Sequence, residues 1–191
     1  MSAEWVGAIA SLLTFIVIGA TALAALVQFR HMRNSNQIAV FTEMRHKLES
    51  PEFQAALAFV RDFPQKAGDH EFRMRLFDLN SEESRTVRNL GNFLDGALAP
   101  LVKHGMVDRD LACDLFYPVV VRTWNALAEY IATNRAVLGY DMWEDFEYLT
   151  LLCNDFRARY PTGTYPPHAK RVPLPEPWPE LAEIQALRAK H

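Results

Sequence analysis

Cysteine is nearly absent from this 191-residue chain: Cys113 and Cys153 are the two that occur, neither in a CxxC spacing. A disulfide framework and a cysteine-rich zinc site are therefore excluded as organising features. Both sit inside apolar helical patterns and read as buried free thiols, which suits a reducing compartment. Glycine is scarce at 8 residues, and none builds GxGxxG or GxxxxGK[ST], so no phosphate-cradling loop is present. There is no basic excess either. With 20 Lys and Arg against 23 Asp and Glu, the formal charge is -3, and the footprint of a nucleic-acid binder is missing. Of the 6 histidines, no two stand four apart, and HExxH and paired Glu-x-x-His helices do not occur. Zinc and diiron sites thus lack their ligands. Ser81 and Ser84 have no nucleophile-elbow context. Period-two alternation of useful length is missing, which argues against a sheet. No catalytic residue, cofactor or metal is expected, and the chain reads as a non-enzyme.

What the sequence does have is one long apolar run. From Trp5 to Val27 no charged residue occurs. At ~1.5 Å rise per residue a helix of this length spans about 34 Å, enough for the hydrocarbon core of a bilayer. Every backbone polar group is satisfied inside such a helix, so it can lie in lipid. Ala22-Leu23-Ala24 resembles a cleavage site, but no Lys or Arg precedes the run, whereas a signal peptide carries a basic n-region. The reading is a transmembrane anchor. Trp5 suits one interface; Arg30 and Arg33 suit the anionic headgroups at the other. Because Glu4 precedes the span while Arg30, His31, Arg33, Arg45 and Lys47 follow it, the positive-inside rule places the N-terminus outside and the rest in the cytoplasm. The expectation is a single-pass inner-membrane protein with the lipid bilayer as a partner. Small residues at Gly7, Ser11, Thr14, Thr21 and Ala25 would also let a second helix approach closely.

Three regions follow: 1–33 as anchor and basic flank, 34–160 as a cytoplasmic helical bundle, and 161–191 as a Pro-rich extended segment with a short terminal helix. The fold class is all-α. Ile38, Phe41, Met44 and Leu48 keep a helical period, and neither Pro nor Gly interrupts Gln28 to Glu49, so the span should continue as a stalk that stops at Ser50-Pro51. Helices are expected from Pro51 to about Phe63, across Phe72 to Leu79, from Glu82 to Lys103, and from a cap at Asp108 to a stop at Gly139, with a start or kink at Pro118. Asp141-Met142-Trp143-Glu144 has the spacing of a capping box opening a last bundle helix with Trp143, Phe146, Leu149, Leu152 and Phe156. Antiparallel packing of these helices is the natural architecture. Seven of the 11 prolines fall between Pro161 and Pro179, which makes that stretch extended and partly polyproline II. Tyr165 and Trp178 are expected to anchor it by packing, with recruitment of a proline-reading partner as the alternative.

Three residues stand out as candidate ligand or interaction positions. Trp124 and Arg135 lie eleven residues apart on one helix, about three turns and so nearly one face. An arginine there would pair with an inner carboxylate such as Asp95 or Glu129. A core tryptophan beside a snorkelling arginine accounts for the same pattern. The acidic run Glu144, Asp145, Glu147 and Asp155 reads first as a solvated face, since acid–base work would need a cleft.

The charge-free span, the basic exit and the stretch LGNFLDGALAPLVKHGMVDRDLACDLFYPVVVRTWNALAEYIATNRAVLGYDMWEDFEYL together resemble a family of uncharacterised bacterial membrane-anchored helical proteins. The resemblance runs over residues 5–152 and rests on Leu90, Asn92, Phe93, Asp95, Gly105, Trp124, Arg135, Phe146 and Leu149. In this chain Leu94 stands between the phenylalanine and the acid, which the family pattern places side by side. The resemblance implies a single-pass inner-membrane protein with a cytoplasmic bundle and brings no activity. The expected function is an interaction or scaffold module that binds protein partners or itself. A small-ligand sensor signalling through the stalk is the alternative, and an enzyme using Glu144 or Asp155 is a third.

Overall fold

A computed structural model describes residues 3–188, with side chains from residue 7 onward except those of 8–11, 30, 31, 33–37 and 188. The side chains of Trp5, Arg30 and Arg33 thus lie outside the described ones. Among the described residues all regular structure is helical and no strand occurs: the fold is all-α. Compactness divides the chain into Met1–Arg159 and Tyr160–His191.

The first unit opens with α1, Ala3–Glu49, a single unbroken helix of 47 residues. Leu12–Phe29 is long and apolar enough to cross a membrane, and none of it is buried in the protein. Further along the same helix Val40, Phe41, Met44 and Leu48 pack against the core, and the Phe41 ring stacks on Phe116 at 6.1 Å. The chain turns at Ser50, whose Oγ accepts the Phe53 N–H at 3.3 Å, and Pro51 occupies the first position of α2, Pro51–Arg61. That combination uses the orphan donors of a helix start and a residue with none to offer. After the single turn α3, Phe63–Lys66, Asp69 caps α4, His70–Phe77, by accepting the Glu71 N–H. Phe59, Phe63 and Phe72 meet in a cluster with ring centroids 5.5 to 6.3 Å apart, mostly edge-on or tilted as ring quadrupoles favour.

Ser81 caps α5, Glu82–Phe93, accepting the Ser84 N–H at 3.0 Å. A five-residue π-helical turn, Leu94–Leu98, follows, and then α6, Ala99–Lys103. Asp108 caps α7, Arg109–Leu138, which continues past Pro118 and ends on Gly139 at φ 70°. The last bundle helix is α8, Glu144–Arg159. It lies antiparallel to α7: Arg159 binds Asp110 at one end, and Arg135 reaches Glu147 at the other. Between those ends Cys113 and Cys153 are buried and free. A hydrogen bond between the two thiols, and then burial, push the Cys153 thiol far above its ordinary range.

In the second unit, Tyr165 Oη donates to the Lys170 carbonyl at 3.0 Å, and the Arg171 guanidinium lies 4.8 Å over the Tyr165 ring. The proline-rich stretch is not helical, and a terminal helix, α9, spans Leu181–Arg188. Trp178 is 76% exposed. Its carbonyl accepts the Leu181 N–H at 3.0 Å in the turn that opens α9.

Candidate functional site

The site forms where α5, the π-turn, the end of α7 and the start of α8 converge. The sequence pattern implies an unbroken helix from Glu82 to Lys103, but Pro100 lies inside it. A proline there has no N–H for the Gly96 carbonyl, and its ring crowds that carbonyl. The helix responds by widening one turn ahead, so that the Ala99 N–H reaches back to the Leu94 carbonyl. Leu94, Leu98 and Ala99 enter the core, and Asp95 is turned toward the start of α8.

That start is unusual. The capping box expected at Asp141-Met142-Trp143-Glu144 does not form, since the helix begins only at Glu144 and Trp143 stands before it at φ 60°. A bulky residue in the left-handed region is strained. Three contacts hold it there. The indole is buried, its Nε1–H donates to Asn92 Oδ1 at 3.0 Å, and its six-membered ring lies flush against Gly91. Because Trp143 offers no side-chain oxygen, the first turn of α8 takes its acceptor from another helix: Asp95 Oδ1 receives the Phe146 N–H at 3.0 Å. A carboxylate at this end also suits the helix dipole.

Arg135 closes the other side. Its Nε donates to the Met142 carbonyl at 3.0 Å, and Nη2 lies 2.8 Å from Glu147 Oε2. That second contact is an ion pair by distance, at an angle outside hydrogen-bond geometry, which leaves the buried nitrogen without a hydrogen bond. The guanidinium lies 5.7 Å from the Trp124 ring, and Trp124 meets Phe146 edge-on at 5.2 Å. Arg135 therefore pairs with Glu147 and not with Asp95 or Glu129, because the loop after Gly139 brings α8 back beside it. The acidic run is correspondingly less solvated than its sequence suggests: Glu147 holds Arg135, and Asp145 holds Lys103.

Above Trp143 opens a cleft of about 650 Å³. Asp95 lines it; Trp124 and Arg135 do not. Its apolar walls include Phe77, Leu79 and Trp143, and its polar groups include Ser84, Arg88, Asn92, Lys103, Tyr130 and Asn134, with carboxylates at Asp95, Asp141, Glu144 and Asp145. Two of these groups were not singled out in the sequence. Ser84 is fully buried and its Oγ has no hydrogen-bond partner. Arg88 donates from Nη2 to the Leu79 carbonyl at 3.0 Å, and among the described residues no carboxylate lies within ion-pairing distance of it. Burial pushes the Tyr130 phenol above its ordinary range, with a hydrogen bond from Asn134 and the charge of Arg88 pulling the other way. The signal was present: Ser84, Arg88, Asn92 and Asp95 recur at helical spacing and draw one polar stripe along α5 and into the π-turn.

Residues 14–151 match a family described as a domain of unknown function. The chain belongs to that family, DUF4760. The match begins within the apolar span and ends within α8, so the DUF4760 region takes in the stalk, the π-turn and the Trp143 junction together. No curated protein and no solved structure matches the chain. Among the described residues, no three of His, Cys, Asp and Glu gather where they could hold a metal ion.

Proposed function

We propose that this DUF4760 protein is a membrane-anchored helical interaction module, not an enzyme, that holds its bundle at the cytoplasmic face of the inner membrane and binds protein partners or a second copy of itself there. The observation that supports this most directly is the continuity of α1. The apolar stretch ends at Phe29, and the same helix enters the bundle core at Val40, about 16 Å further on at 1.5 Å per residue. A rigid link of that length keeps the bundle beside the headgroups. The basic residues after the span support the cytoplasmic orientation. Affinity purification of the full chain from detergent-solubilised native membranes tests the reading. A stoichiometric companion, or a defined oligomer of the chain, supports it; recovery of the chain alone as a monomer counts against it. Labelling of cysteines placed on either side of the span, with an impermeant reagent on intact cells, tests the orientation.

A second reading is favoured by the cleft. A half-buried arginine, Arg88, without a carboxylate leaves donors for a small ligand, and α1 would carry the consequence of binding to the membrane. Saturable stabilisation of the full chain by a metabolite, following RT ln(1 + [L]/Kd), would support this sensor.

A further inference from the structure

We infer that the cleft above Trp143 takes a small organic anion, its carboxylate or phosphate oxygens seated on Arg88 and its apolar body against Phe77 and Trp143. This rests on the reading of the cleft as a ligand site. Ser84 stands one turn before Arg88 on α5 but is fully buried, so the guanidinium is the member of the pair that a ligand reaches. Arg88 spends one of its five N–H donors on the Leu79 carbonyl. The remaining donors form a planar fork suited to two oxygens of one anion.

The charges of the cleft are divided along its length. Lys103 neutralises Asp145, and Asp95 Oδ1 is occupied by the Phe146 N–H. Both lie at the Trp143 end, with the exposed rim carboxylates Asp141 and Glu144. From Arg88 to Asp95 is seven residues, about 10 Å along the helix axis. An anionic head therefore meets a cation at the Ser84 end, while the opposite end repels a second negative charge. The ligand carries its negative charge at the Arg88 end alone, with a neutral or cationic far side.

The test uses three probes of one shape, namely benzoate, benzamide and benzamidine, against the full chain in nanodiscs, with dissociation constants from saturation-transfer NMR. Benzoate should bind saturably and at least tenfold more tightly than the other two. Arg88→Gln should weaken benzoate about tenfold or more and leave benzamide unchanged, and an unchanged melting temperature shows that the variant is folded. Should benzamide or benzamidine bind as well as benzoate, or Arg88→Gln leave benzoate unaffected, the anion assignment fails while the cleft remains a ligand site. Binding of none of the three overturns both.

Discussion

A Cβ on Gly91 would lie 2.0 Å from Cζ2 of Trp143, far inside contact distance, so this glycine serves close packing and not backbone freedom. Gly91→Ala gains helix propensity of up to ~1 kcal/mol, but it must move a buried indole already held at positive φ. We expect a net loss of about 1–3 kcal/mol by urea unfolding. Pairing it with Trp143→Leu, which vacates the space, should make the two losses add to less than their sum; simple additivity would show that the ring is not the obstacle. Asp95 acts as a cap supplied from another helix. Asp95→Ala should cost ~1 kcal/mol, in the range of lost helix caps, and Asp95→Asn should cost less because an acceptor oxygen remains. Equal losses in the two variants would mean that Oδ1 is not what holds the Phe146 N–H.

The start of α8 and the π-turn form one joint. Pro100 widens the turn, the wider turn aims Asp95, and Asp95 with Asn92 receives a helix whose own cap residue is a tryptophan. The Asn92–Trp143 and Asp95–Phe146 bonds each join residues 51 apart in the chain, so neither can form before α7 has folded back. Further along the α7–α8 pair both thiols are buried, with Cys113 at 1% and Cys153 at 0% exposure. A thiol reagent added to the native protein should therefore react at neither site on a timescale set by the reagent, and labelling should track opening of this helix pair. Prompt labelling of either cysteine in native protein would contradict the packing.

The stalk belongs to the bundle energetically. Val40, Phe41, Met44 and Leu48 are all partly buried against the core. At about half the burial of a typical core side chain, together they contribute roughly 3–5 kcal/mol. A chain beginning at residue 34 should thus fold with near-full stability, whereas one beginning at residue 50 should lose on the order of 3 kcal/mol in chemical denaturation. Equal stability of the two chains would make α1 a passive tether. If the loss is found, a pull or tilt applied to the span reaches the core directly, since no loop intervenes between Phe29 and Val40.

The all-α class, the long apolar span, the stalk and the caps at Ser50, Ser81, Asp108 and Gly139 are determined by the sequence itself. Each depends on residues within a turn or two of one another: a charge-free run, a 3.6-residue period, a side-chain oxygen two or three positions ahead of an orphan N–H, a glycine free to adopt positive φ. Pro100 also announces that α5 cannot continue unchanged to α6, although not that the remedy is a π-turn. Tertiary structure alone decided the partner of Arg135, the cap of α8 and the cleft lined by Ser84 and Arg88. A capping box at Asp141 was reasonable by local spacing, and a pair between Arg135 and Asp95 or Glu129 by charge. They lost to contacts that exist only once α8 lies against α5 and α7, where burying the Trp143 indole on Gly91 outweighs the strain of its backbone.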